Sequence, residues 1–446
     1  MTIYHFNRDK DELEGLNISE QHDRISTFIN KQLSANNLVI FLGSGCSTNA
    51  VPLMSQTMRK ILDNNIVMNQ VKKFLDSKEI NEFVQFIESN RNHKKEIREE
   101  IKGNIENLKV RNLDTYIKWI NKEDFEYKSQ IMNIINDYYY SYTNIEELLN
   151  WIQNGLNFTN NQKLLRAFNI IKSEFINTIP ETGAIEYEGE TFKTYRDFYR
   201  YVFDKRNKLK AKVSIFTTNY DLFNEYALEA NNIIYNTGFA NTLHKKFDIN
   251  QFKYRVVDDT NKYKEKWQPV TKEANVYKIH GSINWKTNEK GELQQVDSIN
   301  KKNHQEVVIY PTMLKHRETA QAPYSELFRE FSNCLQKKDT TLVIIGYGFP
   351  DDHINNIIAQ NLKNKDFNLI IFGNKNESNL NDFYERHKNY NLHLIGGETS
   401  IEKEKKEHDT QNVYYFKYIV DNFLKSKSLD NIKKEEENDE QYRQGN

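Results

Sequence analysis

An unbroken apolar run over residues 38–42 leads directly into a loop with two glycines, Gly43 and Gly45. An apolar run this rich in β-branched and aromatic residues predicts a strand that is buried on both faces. The glycines permit a tight turn at the carboxyl end of that strand and the close approach of a ligand. Residues 47–49 are polar and can cap a helix, which we expect over about residues 52–62. A strand, a glycine loop and a helix amino terminus together suit a bound phosphate group.

Three further apolar strands are also followed by polar motifs. Strand 213–216 leads to residues 217–221, strand 276–279 leads to His280, and strand 342–345 leads to residues 346–348. Ligands of parallel α/β sheets bind at the carboxyl ends of the strands, so the motifs are expected to meet in one crevice. The first loop taken alone is equally consistent with a plain tight turn, because Thr48 stands where the dinucleotide fingerprint has its third glycine.

The four motifs, in this order, resemble those of the sirtuin-like (Sir2-type) NAD-consuming domain. The loop Gly43-Ser44-Gly45-Cys46-Ser47 is similar to the family's Gly-Ala-Gly-x-Ser loop, and residues 217–221 are similar to its Thr-Gln-Asn-x-Asp motif. His280-Gly281 resembles the catalytic His-Gly pair. The resemblance covers about residues 34–63 and 206–373 and is closest to the bacterial anti-phage branch, whose members hydrolyse NAD. Residues 50–55 depart from the family's Gly-Ile-Pro-Asp-Phe-Arg stretch.

The resemblance implies two catalytic residues, Asn219 and His280. A histidine titrates near neutral pH and can accept a proton from a ribose hydroxyl or a water, while an amide can hold that water or orient the ribose. His280 alone could equally be a turn residue, and Asp221 could orient its loop or cap a helix. The implied NAD-binding residues are Gly43, Ser44, Gly45, Cys46, Ser47, Thr218, Asp221, Gly346, Tyr347 and Gly348.

Composition excludes several classes of protein. The 446 residues include only two cysteines, Cys46 and Cys334, which cannot form the Cys₄ zinc site typical of sirtuin deacylases. We therefore predict no metal site and disfavour a deacylase. Lys and Arg number 62 against 63 Asp and Glu, so no basic excess indicates direct nucleic-acid binding. The absence of a long apolar run predicts no membrane span and favours a cytoplasmic protein.

The fold class predicted from these patterns is α/β, a Rossmann-like parallel sheet with helices on both faces and a large helical insertion. We expect an N-terminal helical arm over residues 1–33 and a sirtuin-like core over residues 34–63 and 206–375. Residues 64–205 form the helical insertion. A C-terminal extension over residues 376–446 ends in a charged tail, expected to be disordered or a frayed helix.

The leading hypothesis is an NAD⁺ hydrolase that yields nicotinamide and ADP-ribose and acts as an abortive-infection effector in anti-phage defence. The alternative is a non-catalytic nucleotide-sensing or partner-binding module, and a deacylase is the disfavoured third. The helical insertion offers amphipathic surfaces, such as the helix over residues 145–156, for a homo-oligomer. By resemblance to related systems, a separately encoded HerA-type ATPase or short Argonaute would control the activity.

Overall fold

The computed structural model describes residues 3–75, 80–90, 92–142, 145–180, 189–206, 211–263, 266–297, 306–308, 322–400 and 410–425. The strands are β1 (Ile3–Asn7), β2 (Lys10–Asp11), β3 (Asn37–Leu42), β4 (Val213–Thr217), β5 (Ile234–Asn236), β6 (Val257–Tyr263), β7 (Lys266–Pro269), β8 (Glu273–Lys278), β9 (Gly281–Thr287), β10 (Leu293–Gln295), β11 (Glu306–Val308), β12 (Thr340–Ile345), β13 (Phe367–Phe372), β14 (Leu392–Ser400) and β15 (Thr410–Asn412). The helices are α1 (Ile18–Leu33), α2 (Met54–Leu62), α3 (Asn65–Leu75), α4 (Ile80–Ser89), α5 (Lys95–Asn107), α6 (Leu113–Lys122), α7 (Lys128–Tyr142), α8 (Ile145–Phe158), α9 (Gln162–Asn177), α10 (Glu190–Asp204), α11 (Phe223–Ala230), α12 (Tyr324–Leu335), α13 (Asp352–Asn361), α14 (Ser378–His387) and α15 (Phe416–Ile419). None of these helices has the length and hydropathy needed to span a membrane.

The central sheet has the strand order β2-β1-β14-β13-β12-β3-β4-β8-β5, with β15 paired to β14. The seven strands from β14 to β5 are parallel to one another, and β1, β2 and β15 add antiparallel partners at one side. The predicted α/β fold with a parallel, Rossmann-like sheet is confirmed. The glycine-loop strand β3 lies between β12 and β4, so its carboxyl end is at the middle of the sheet.

The apolar run of β3 is buried on both faces, as its sequence predicts. Leu38, Ile40 and Leu42 belong to one hydrophobic core, whereas Val39 and Phe41 belong to a second core on the opposite face. All five side chains are at most 2% exposed. Full burial of such a side chain stabilises the folded state by roughly 1.5–3 kcal/mol. This strand therefore contributes strongly to the packing on both faces of the sheet.

The segment between α2 and β4 is helical in its described parts, in agreement with the predicted insertion, and contains α3 to α10. On α8, the apolar side chains Ile145, Leu148, Leu149 and Ile152 are at most 3% exposed. These apolar side chains of α8 therefore pack within the protein and are not exposed for an oligomer contact.

The two ends of the chain differ from their predicted organisation. The expected helical arm contains α1, but β1 and β2 precede that helix, and β1 pairs with β14 in the main sheet. At the other end, β14 adds a further parallel strand after β13, so the core extends past residue 375. The charged tail over residues 426–446 lies outside the described residues.

The predicted caps of the first core helix are wrong. A 3₁₀ turn over Ser44–Cys46 follows β3, and α2 begins only at Met54, with Leu53 as the residue before it. The backbone N–H of Leu53 donates to Gln56 Oε1 at 3.2 Å. Ser47 and its polar neighbours therefore lie in the loop, where the Ser47 hydroxyl bonds to Tyr195 and Asn219.

A buried histidine pair joins the edge strand β1 to β14. His5 Nε2 lies 3.0 Å from His393 Nδ1, and the two side chains are 3% and 7% exposed. Burial lowers the pKa of His5 to about 4, with a smaller contribution from Arg24. Burial, and then the charge of His5, lowers the pKa of His393 to about 3. Both histidines are therefore neutral in the folded chain at neutral pH.

We expect this pair to make the fold sensitive to acid. Because both pKa values lie below the ordinary 6.5, the unfolded chain takes up protons first as the pH falls. The stability that depends on the neutral pair is complete above pH 6.5 and is lost as the pH falls towards 4 and 3. Between pH 7 and pH 5.5 the loss should be about 1 kcal/mol per histidine, measured by urea unfolding. A His5→Gln/His393→Gln variant should show a shallower pH dependence. Equal slopes for the double variant and the wild type would contradict this assignment.

Candidate functional site

The glycine loop after β3 and the glycine loop after β12 contact each other through their backbones, at the carboxyl ends of these two central strands. The N–H of Gly43 donates to the carbonyl oxygen of Ile345 at 2.9 Å, and the N–H of Gly45 donates to that of Gly346 at 2.9 Å. A Cβ atom on Gly45 would lie 2.7 Å from the Cα of Gly346. A Cβ on Gly43 would collide with the Gly346 carbonyl oxygen. Gly346 itself has a φ of +68°. These positions are glycine because two loops pack backbone to backbone.

This arrangement corrects the expected role of the first loop. The sequence suggests that its glycines leave room for a ligand and that its free N–H groups hold a phosphate. In the structure, the N–H groups of Gly43, Gly45, Cys46 and Ser47 already donate to carbonyl oxygens. These four N–H groups are therefore not available to a ligand, and the loop contributes to the site mainly as a packed surface.

Asn219 lies just after β4, and hydrogen bonds from its side-chain amide nitrogen hold the side chain in place. Its Nδ2 donates to the carbonyl oxygen of Gly43 at 3.0 Å, to Ser47 Oγ at 3.2 Å and to the hydroxyl of Tyr195 at 3.3 Å. The side chain is 5% exposed, and its Oδ1 has no hydrogen-bond partner among the described residues. A buried amide oxygen without a partner is costly, so this atom is a ready acceptor for a water or a hydroxyl.

His280 lies in the short turn between β8 and β9. The residue after it, Gly281, has a φ of +88°, a value that favours glycine. Nε2 of His280 lies 3.9 Å from Oδ2 of Asp351, and both side chains are largely buried. Asp351 is a site residue that the sequence analysis missed, although it closely follows the predicted loop over residues 346–348.

Two adjoining cavities cover these loops. The His280 cavity, of about 410 Å³, is lined by Ser44, Ser47, Thr218, Asn219, Asp221, His280, Tyr347, Gly348 and Asp351 among others. The Glu377 cavity, of about 680 Å³, is lined by Ser44, Gly45, Cys46, Gly346, Tyr347, Gly348 and Glu377 among others. Ser44, Leu53, Tyr347 and Gly348 line both, so the two cavities form one cleft. Every predicted site residue lines this cleft except Gly43, whose backbone groups bond to Ile345 and Asn219.

Comparison with known families gives this arrangement a context. Residues 213–395 match the family model of the SIR2-like domain. The chain contains a SIR2-like domain. This family is associated with NAD⁺, so an NAD-related function of the sirtuin type fits the chain. Comparison with curated proteins finds no significant match.

The matched segment of the SIR2-like domain does not include the whole site. It begins at β4 and ends within β14, whereas β3 and its glycine loop precede it. Since β3 pairs with both β12 and β4, the SIR2-like domain is completed by a strand from outside the matched residues. Among the residues that the structure describes, no group of three or more His, Cys, Asp or Glu side chains could hold a metal ion.

Three buried charges lie beneath the cleft of the SIR2-like domain. Lys278 is 0% exposed, and its Nζ lies 3.2 Å from Glu225 Oε1 and donates to the carbonyl oxygen of Asp221. Burial raises the pKa of Asp221 and of Glu225, and the charge of Lys278 partly offsets that effect. Asp221 Oδ1 accepts the N–H of Phe223 at 3.1 Å at the start of α11. Asp221 thus makes a cap contact and also lines the His280 cavity.

Cys46 has a structural role in the loop. Its Sγ donates to the carbonyl oxygen of Ile345 at 3.3 Å, and burial raises the pKa of its thiol well above the usual value. A thiol held in this protonated state is a poor nucleophile.

The helical insertion supplies a wall of the cleft that the sequence did not reveal. Phe175, Thr178 and Ile179, at the end of α9, line the His280 cavity. From α10, Glu190 and Thr194 line the Glu377 cavity. Residues 411–417 close the same cavity from the C-terminal side, through Gln411, Tyr414, Tyr415, Phe416 and Lys417. The SIR2-like domain therefore shares its cleft with segments on both sides of it in the chain.

Proposed function

We propose that this protein is an NAD⁺ glycohydrolase that cleaves NAD⁺ to nicotinamide and ADP-ribose. The observation that carries the proposal is the joint placement of His280 and Asn219 on one cavity of a SIR2-like domain. Asn219 Oδ1 lacks a partner there, and an acidic side chain, Asp351, lies beside the histidine.

The chemistry requires little acid catalysis. Nicotinamide is cationic in NAD⁺, so when the C1′–N bond breaks, its electron pair neutralises the departing ring. The electron-poor C1′ then bonds to a water oxygen, and the proton released goes to a base. His280 is our choice for that base, and the nearby Asp351 carboxylate would stabilise the resulting imidazolium. Asn219 Oδ1 would hold the water or a ribose hydroxyl.

We propose a placement of the dinucleotide in the two cavities. The nicotinamide ribose would occupy the His280 cavity, where the reacting groups are. The pyrophosphate would cross the shared boundary at Ser44 and Gly348, and the adenosine would enter the larger Glu377 cavity. The aromatic side chains of Tyr414 and Tyr415 offer apolar surface for the adenine ring there.

The direct test is to incubate the purified chain with NAD⁺ and to measure nicotinamide and ADP-ribose by chromatography. A parallel reaction contains an acyl-lysine peptide. Nicotinamide release without the peptide supports the proposal. Release that depends on the peptide would indicate a deacylase, and a stable NAD⁺ complex without any release would indicate a nucleotide sensor.

The proposal includes a role in anti-phage defence by abortive infection, because depletion of NAD⁺ stops the cell that contains the enzyme. Such an activity needs restraint, and we propose that a homo-oligomer or a separately encoded partner, of the HerA-type ATPase or short Argonaute kind, provides it. Light scattering over a dilution series tests the assembly. A strict monomer that hydrolyses NAD⁺ at its full rate without any added protein would exclude this form of control.

A further inference from the structure

A third cavity lies within the helical insertion, away from the cleft. It has a volume of about 540 Å³ and lies between α3, α6 and α9. Its charged lining residues are Lys72, Lys73, Asp114, Lys118, Lys163 and Arg166. Five cations therefore face one carboxylate, in a chain whose formal net charge is −1.

In this third cavity, which we call the basic cavity, the protein supplies few carboxylates to neutralise the cationic side chains. Asp114 pairs with Lys118 at 2.7 Å on the same helix. The other four cations, from Lys72, Lys73, Lys163 and Arg166, make no ion pair with any described residue. Like charges that converge on one concavity repel one another, and a bound anion would relieve that repulsion.

The start of α9 adds to this imbalance. Asn161 caps the helix by accepting the N–H groups of Lys163 and Leu164, and its first turn contains no acidic residue. The helix dipole favours negative charge at this end, yet Lys163 and Arg166 place positive charge there. These cations are unfavourable for the isolated helix, and an anion held between them in the cavity would offset that cost.

We propose that the basic cavity binds a small polyphosphate anion of the size of a nucleoside di- or triphosphate. Its volume falls in the range of small-molecule sites, and Arg166 can hold phosphate oxygens in a bidentate manner. A concavity between three helices suits a compact ligand better than an extended nucleic-acid strand. The site is distinct from the cleft, since Arg166 and the cleft residue Phe175 are about 14 Å apart along α9.

Isothermal titration calorimetry of the full chain with sodium tripolyphosphate and with ATP tests the proposal without any assay of NAD⁺ cleavage. We compare the wild type with Lys163→Gln/Arg166→Gln, whose side chains are exposed, and with the matched control Lys60→Gln/Lys94→Gln. The control removes the same charge from α2 and from the residue before α5, and neither residue lines the basic cavity. We expect binding by the wild type and the control, and at least tenfold weaker binding by the cavity variant, since that variant loses two charge-assisted hydrogen bonds to the anion.

Three results would overturn the proposal. They are no tripolyphosphate binding by the wild type, equal weakening in both variants, and tighter binding of a single-stranded 20-nucleotide RNA that depends on Lys163 and Arg166. Circular dichroism melting checks that the variants are folded. If the double variant unfolds, the single variant Lys73→Gln on α3 tests the same cavity with the same expected direction.

Discussion

Replacing His280 with alanine is expected to reduce NAD⁺ cleavage by about 10²–10⁴-fold, the usual effect of removing a general base. The side chain lies at a strand end on the wall of the cleft and is not part of either hydrophobic core. The fold should therefore be retained. The measurement is the rate of nicotinamide release by the activated protein, with the melting temperature recorded alongside.

The matched control is His353→Ala. His353 is exposed on α13 and lines neither cavity, so its loss should leave the rate unchanged. If His280→Ala cleaves NAD⁺ at the wild-type rate, the proposed site is wrong. If both variants lose activity equally, the effect does not come from a general base at position 280.

Asn219→Ala is also expected to abolish cleavage, because it removes the buried amide oxygen that we propose holds the water. This variant additionally loses the donors to the Gly43 carbonyl oxygen and to Ser47, so some loss of stability is expected. A large fall in kcat with little change in KM would agree with a role in the reaction. A rise in KM alone would assign Asn219 to substrate binding.

Gly45→Val is expected to destabilise the whole fold and thereby remove NAD⁺ binding. The valine Cβ would stand 2.7 Å from the Cα of Gly346, and backbone on backbone cannot yield as a flexible side chain can. Overpacking of this kind costs about 1–3 kcal/mol or more. Urea unfolding measures the loss of stability, and calorimetry with NAD⁺ measures the binding.

Gly348→Val provides the contrast on the second loop. A Cβ at Gly348 would have only an ordinary contact, 3.6 Å from Glu377 Oε2, and Gly348 lines both cavities. This variant should keep its stability and weaken NAD⁺ binding by filling the cleft.

The Gly45→Val prediction has its own contradicting outcome. If Gly45→Val unfolded at the same urea concentration as the wild type, loop packing would not be the reason for glycine at that position.

The sequence was sufficient to predict the parallel sheet and the insertion. Buried parallel strands such as β3 and β12 are continuous apolar runs, and amphipathic helices such as α8 have a clear period of 3.6 residues. The positions of Asn219 and His280 shortly after such strands could also be predicted, whereas their catalytic roles are implied only by the family resemblance. Both signals are local in the chain and do not depend on distant partners.

The features that the sequence did not reveal depend on tertiary contacts. Tyr195 appears in the sequence as one more aromatic residue of α10, but its hydroxyl contacts both Ser47 and Asn219. Lys278 reads as a polar residue at the end of β8, but it is fully buried beside Glu225. Strand β1 is short, and its role at the sheet edge depends on β14, which is almost the whole chain away.

The position of β3 has a consequence for how the protein is made. Its neighbours in the sheet are β4 and β12, and Asn37 pairs with Thr340. During synthesis from the amino terminus, β3 leaves the ribosome early, whereas its second neighbour, β12, leaves only after most of the chain has been made. The glycine loop acquires its contacts to Ile345 and Gly346 only then, and residues 411–417 close the cleft later still. A nascent chain therefore has no complete cleft, and assembly of the site is among the last events of its folding.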